Sequence, residues 1–195
     1  PQAVWGLSGE VMQALGLATL PPWSTSELAQ GTVISLYPVG TQARALLLPH
    51  SDMPLNATFS PSDWLAGEVL AGVADVQEAT FEAFVPQMLN HESVGGVHFK
   101  KGCYPGQEVV ARSQFRGTLK RRTFLFATDQ PLSAGSEVMS GSDAVGLVAQ
   151  AAAMPDGKGV ALACILIQHA HDSTLNVQGV GLHLLPLPYD LLQDI

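Results

Sequence analysis

Cys103 is the side chain with the most chemistry to offer, and its neighbours suit a reactive thiol. It lies in the stretch Lys100-Lys101-Gly102-Cys103-Tyr104-Pro105-Gly106-Gln107-Glu108-Val109-Val110-Ala111-Arg112. A cysteine is a nucleophile or a ligand only as thiolate, a form that nearby cations and a helix N-terminus favour. Lys100 and Lys101 supply the cations. Pro105-Gly106-Gln107-Glu108 predicts the first turn of a helix running to about Ser113, with a proline and an acid where a helix start favours them. Gly102 and Gly106 allow tight backbone conformations, or close approach of another group. The same residues also suit an ordinary buried cysteine in a loop, and composition does not separate the two.

The side chains after Cys103 add hydrogen-bonding capacity. Gln107 and Glu108 suit the edge of a heterocycle, while Arg112, four residues beyond Glu108, either pairs with it or holds a ligand carboxylate. Charge gathers in the same region. Seven of the nine Lys and Arg residues fall between positions 100 and 122 against one acid, Glu108, so this window is net +6 and the remainder is net -14. Lys120-Arg121-Arg122 ends the window, either contacting a phosphate or an acidic partner or closing a solvated strand end.

Other candidates are weaker. Cys164, within Ala161-Leu162-Ala163-Cys164-Ile165-Leu166-Ile167, reads as a buried small apolar residue. His169 and His171 share one side of a strand if it extends that far, but no third ligand is near, so no metal site is expected. Neither a nucleophile elbow nor a glycine-rich phosphate loop occurs.

The elements that must position these residues follow from the rest of the chain. With 195 residues, 47% hydrophobic content, 19 glycines and 13 prolines, a turn-rich α+β protein is expected rather than a helical bundle. Ser8 to Leu17 predicts a short helix capped by Ser8, with Val11, Met12 and Leu15 on one face, ending near Gly16. Thr32–Tyr37 and Ala43–Leu48 predict two strands joined through Pro38-Val39-Gly40. A helix is expected from Ser62 to about Ala71, a short segment from Glu78 to Phe84, and a short strand at Val97-His98-Phe99. Beyond Gly117 six strands are predicted, at 122–127, 137–139, 144–150, 160–168, 174–177 and 181–185, which suggests a small barrel or sandwich. Two cysteines make no disulfide framework, and no basic-then-apolar leader or run of eighteen apolar residues occurs. A cytoplasmic protein without a membrane partner is expected. The chain opens at Pro1 as if in mid-domain, so a further N-terminal part is also expected.

The string KGCYPGQEVVAR resembles the signature of the YgfZ-type folate-binding proteins, which are related to the glycine cleavage T-protein, an aminomethyltransferase. Phe84-Val85-Pro86-Gln87-Met88-Leu89-Asn90, Gly95-Gly96-Val97, Gly117, Lys120-Arg121-Arg122 and Leu187-Pro188-Tyr189-Asp190-Leu191 look like the same family. The resemblance is strong over residues 60 to 125 and weaker elsewhere.

It implies an α+β, T-protein-like multi-domain fold, with ferredoxin-like α/β parts and a C-terminal antiparallel β-barrel around a central folate site. Residues 1–50 would complete one α/β domain, 51–117 would belong to the folate-binding domain, and 118–195 would form the barrel. The implied activity is a tetrahydrofolate-binding accessory role in maturation or repair of iron-sulfur enzymes, including those that modify transfer RNA. By residue, Cys103 and Lys101 would act chemically, and Tyr104, Gly106, Gln107, Glu108 and Arg112 would bind the cofactor, with Gly102 completing the motif. The implied partners are folate, iron-sulfur client or assembly proteins and, weakly, transfer RNA. In the relatives a carboxylate that anchors the pterin lies N-terminal to the part matched here. Two other function classes stand beside this one. A folate-dependent one-carbon transferase would show turnover, although the T-protein has no such cysteine motif. A transfer RNA-binding module is opposed by the net charge of -8.

Overall fold

A four-residue strand that the sequence did not predict precedes the expected N-terminal helix. The computed structural model describes residues 3–51, 58–115 and 119–192, and Arg116 of the basic window and Gly117 lie outside the described residues. The chain divides into two units, residues 1–67 and 68–195.

In the first unit β1 (Trp5–Ser8) precedes α1 (Glu10–Ala14), followed by β2 (Thr25–Leu28), β3 (Gly31–Val39) and β4 (Gln42–Pro49). These strands form one antiparallel sheet in the order β1-β4-β3-β2. The strands expected at 32–37 and 43–48 are β3 and β4, turned back at Gly40 with φ 57°. The expected N-terminal helix is shorter than predicted. Ser8 ends β1, and the cap position is Gly9 at φ 62° with no side-chain cap bond. Of its presumed apolar face only Met12 is buried, packing with Leu17, Val33, Ala45 and Leu47, while Val11 and Leu15 face solvent.

α2 (Pro61–Leu70) starts where the sequence predicts it. Pro61 needs no amide partner in a first turn, and Ser60 and Asp63 exchange hydrogen bonds: Ser60 N donates to Asp63 Oδ2 at 3.0 Å and Asp63 N to Ser60 Oγ at 3.2 Å.

The second unit contains a 3₁₀ turn at Glu78–Thr80, another at Pro86–Leu89, α3 (Gln107–Phe115), and then a barrel. Its strands are β5 (Arg121–Thr128), β6 (Glu137–Ser140), β7 (Asp143–Ala153), β8 (Gly159–Leu166), β9 (Asn176–Val177) and β10 (Val180–Leu185). They close in the order β10-β5-β8-β7-β6-β9, so each of the six C-terminal runs predicted as strands is one. Inside lie Phe126, Val138, Val145, Val148, Ala161, Ala163 and Ile165. Full burial of each Val or Ile side chain is worth about 1.5–3 kcal/mol.

β8 is buried on both sides, since Leu162 and Cys164 are as inaccessible as Ala161 and Ala163. Four hydrogen bonds tie residues 72–90 to later parts of this unit. Asp75 N donates to Gln150 Oε1 at 2.8 Å, Thr123 Oγ1 to Met88 O at 2.8 Å, Asn90 Nδ2 to Thr123 O at 2.7 Å, and Tyr189 Oη to Gly72 O at 2.6 Å. Val97-His98-Phe99 is irregular and pairs with no strand among the described residues, which corrects the expectation there. Gly95 at φ 77° and Gly96, whose amide bonds back to His91 O at 2.7 Å, close a turn on this segment instead.

Candidate functional site

Gly106 organises the candidate site because the chain must reverse there to begin α3. Its φ of 80° is unfavourable for any residue with a Cβ, and its carbonyl accepts from Val109 N at 3.1 Å and Val110 N at 3.4 Å, which starts the helix. Gly102 differs. Its φ is not positive and a Cβ there would meet nothing within 4 Å among the described residues, so these demand no glycine at that position.

The loop before α3 folds onto itself. Gln107 Oε1 accepts from Tyr104 N at 3.4 Å, and Lys101 Nζ sits 4.5 Å from the centre of the Tyr104 ring. Such an exposed cation–π contact is worth about 0.5–1 kcal/mol. Lys101, Tyr104 and Gln107 thus form a chain of contacts that holds the loop around Cys103. Cys103 itself is exposed. Of the two readings of this cysteine, the buried one is overturned.

Glu108 and Arg112 pair with each other. Arg112 Nη2 lies 2.8 Å from Glu108 Oε1 with both side chains mostly in solvent, a pairing worth about 0.3–0.5 kcal/mol. The alternative of a surface pair one helical turn apart is therefore what the described residues show.

α3 is anchored by residues that the sequence did not single out. Val110 is its buried side chain, and Gln87, fully buried, donates from Nε2 to Val110 O at 2.6 Å. Gln87 Oε1 and Glu92 Oε2 are buried without a hydrogen-bond partner among the described residues. A glutamine and an asparagine inside the otherwise apolar run 84–90 were the available signal.

The basic tripeptide divides. Lys120 and Arg121 are exposed, but Arg122 turns inward. It lies 2.9 Å from Glu92 Oε1, donates to Leu192 O at 2.8 Å and to Asn90 Oδ1 at 3.4 Å. The expectation that all three cations share one surface is corrected. Arg122 belongs to the packing of the second unit.

Two histidine expectations also change. β8 stops at Leu166, and Ile167–His169 is one 3₁₀ turn, so His169 and His171 share no strand face. His169 Nδ1 instead lies 3.4 Å from Asp172 Oδ2. Cys164 is buried as expected. Burial pushes its thiol up to about 11, opposed by a hydrogen bond with Thr123 and the charge of Arg121.

The motif residues offer a ring face, an amide and a guanidinium, groups that suit contact with a pterin or a carboxylate tail. They lie on an open surface, however. None of them lines the cavity of about 660 Å³ in the first unit, bounded by Trp5, Leu7, Val11, Leu46, Phe59 and Trp64, or the one of about 430 Å³ in the second. The motif alone therefore supplies at most one wall for a folate. Among the described residues no helix is long and apolar enough to cross a membrane.

No family model matches the sequence. Among solved structures, the glycine cleavage system aminomethyltransferase T from Bartonella henselae matches with a TM-score of 0.54 at 15% identity, covering 95% of this chain. The fold is T-protein-like. It is mixed α+β with a closed six-stranded antiparallel barrel, as the resemblance implied. The chain spans 59% of the length of that T-protein.

Proposed function

We propose that this chain is a tetrahydrofolate-binding accessory protein in the maturation or repair of iron-sulfur enzymes, among them enzymes that modify transfer RNA, and that the Cys103 thiolate is its reactive group. The observation that carries the reading is the presentation of Cys103. It is exposed, stands just ahead of α3, and sits in a loop held by Lys101, Tyr104 and Gln107, on a T-protein-like fold.

A solvent-exposed thiolate can take a sulfane sulfur from a persulfide donor that leaves as its thiolate, ligate a cluster in passing, attack a one-carbon unit with its carrier amine as the leaving group, or attack a client disulfide to give a mixed disulfide and a released thiolate. One thiolate supplies one ligand, so a cluster held here needs the rest from a client or a second copy. Tetrahydrofolate, when bound, supplies a one-carbon carrier. This chain's part is to offer Tyr104, Gln107 and Arg112 as contacts beside the thiol, with residues 51–117 as the folate-facing segment.

Genetic complementation with Cys103→Ser, alongside calorimetric titration of wild type and variant with tetrahydrofolate, tests the proposal. The expected result is loss of complementation with folate binding retained. Full complementation by the variant sinks the thiol role, and absence of folate binding in the wild type sinks the ligand.

The fold neighbour favours a second reading, a folate-dependent aminomethyl or methyl transferase. Turnover of a purified one-carbon donor, persisting in Cys103→Ser, would replace the first reading with this one.

A further inference from the structure

We propose that the second unit carries a groove for an acidic segment of a partner protein, alongside α3. The inference deepens the function above and rests on it only for identifying that partner with the client served by Cys103.

The groove is a cavity of about 430 Å³, with an aliphatic floor of Val85, Met88, Leu119 and Leu166 and a rim of Lys120 and Arg121. Among the described residues no acidic side chain lines it. Both rim cations are exposed, and among the described residues neither is in an ion pair, unlike Arg112 and Arg122. In a protein of net charge -8, two uncompensated cations over an apolar floor select an anionic partner.

The apolar surface continues past the cavity. Ser113 lines the groove from α3, and Val109, one turn earlier on the same helical face, is 53% exposed. Ser113 Oγ donates to Val109 O at 2.9 Å, so its hydroxyl is turned to its own helix and leaves an apolar strip toward the end that Cys103 precedes. An extended partner segment uses both the cavity and this strip; a compact small molecule uses only the first.

A protein segment suits the groove better than a nucleic acid. The floor holds no aromatic ring on which a base would stack, and single-stranded nucleic acid sites rely on such rings. Two cations neutralise few phosphates, so a nucleic acid gains little from the backbone contacts that dominate its binding. Acidic residues flanking a leucine or methionine match both the rim and the floor.

Fluorescence anisotropy on the full chain tests this with three labelled probes: a short peptide of Leu and Met spaced by Asp and Glu, its counterpart with Lys for each acid, and a short single-stranded RNA. The acidic peptide is expected to bind, more weakly at higher salt, and the lysine peptide and RNA are not. Lys120→Glu with Arg121→Glu is expected to weaken binding roughly tenfold or more. Leu119→Gln, which alters the floor and no charge, is expected to weaken it at unchanged salt dependence, with circular dichroism confirming the fold.

Failure of the wild type to bind the acidic peptide, equal binding of the lysine peptide, preferential RNA binding, or wild-type affinity in both variants would each overturn the groove. Complementation by Cys103→Ser is read separately: its success removes the thiol function and leaves the groove standing.

Discussion

Gln87 Nε2 donates to the backbone oxygen of Val110 at 2.6 Å, from a side chain that no solvent reaches. The contact links two segments of the second unit. Gln87 lies in the 3₁₀ turn Pro86–Leu89, which the barrel holds through Met88 O and Thr123 Oγ1, and Val110 lies in α3, which begins four residues after Cys103. Gln87→Met keeps the bulk and removes the hydrogen bond. The expected cost is about 1 kcal/mol, since such bonds contribute roughly 0.5–1.5. It should appear locally, as faster hydrogen exchange in α3 with β5 and β8 unchanged. Uniform acceleration, or none, would show that Gln87 does not hold the helix.

Arg122 and Glu92 form a buried ion pair, with side-chain exposures of 9% and 2%. Removing one partner of such a pair leaves an uncompensated charge and costs about 3–5 kcal/mol, whereas replacing both with apolar groups is often neutral. Arg122→Met should therefore lower the denaturant midpoint sharply, and Arg122→Met with Glu92→Leu should recover much of the loss. Two single variants and a double variant that simply adds their effects would count against the pairing.

The sequence disclosed some of this arrangement and hid the rest for physical reasons. Among the barrel strands β5, β7, β8 and β10 were legible as longer runs rich in apolar and β-branched residues, whereas β6 and β9 showed chiefly through the turn residues around them. α3 was legible from Pro105, Gly106 and Glu108, and its expected extent nearly matches Gln107–Phe115. β1 and β2 were not, since four-residue strands such as Thr25-Ser26-Glu27-Leu28 carry almost no periodicity and exist through pairing with β3 and β4. Arg122 read as part of a basic surface because its partner, Glu92, is thirty positions earlier and no local pattern connects them. For the candidate site, the motif marked out the residues. Which of them pair with each other is a matter of rotamers and loop path, invisible in composition.

The two cysteines should separate cleanly by reactivity. Cys103 is exposed, while Cys164 is buried within β8 with its thiol pushed up to about 11 by desolvation. A thiol with that value is less than about 1% thiolate near pH 8, besides being shielded. Iodoacetamide on the native protein at pH 8 should yield one adduct, mapped to Cys103 by peptide mass spectrometry, and a second only in denaturant. Two adducts on the native chain would mean that β8 opens readily or that Cys164 is not where the barrel places it.

Asp172 ties the residues that follow β8 to Ser140 at the end of β6, and it does so as a carboxylate. Ser140 Oγ donates to its Oδ2, and Thr174 donates to Oδ1 from both hydroxyl and backbone nitrogen, at 2.7 and 2.8 Å. These bonds, Ser140 first and Thr174 next, with a smaller one from His169, hold the carboxyl well below its ordinary 3.8. A depressed folded-state value means that the unfolded chain takes up the proton first on acidification. The stabilisation is then fully present above about pH 4 and fades as pH falls below it. Urea midpoints of wild type and Asp172→Asn should differ at pH 7, and the gap should begin to narrow below about pH 4 without closing by pH 3. Ser140→Ala should narrow the gap at pH 7 without changing the direction of convergence. A gap of the same size at pH 3 as at pH 7 would mean that Asp172 contributes through packing rather than through its charge.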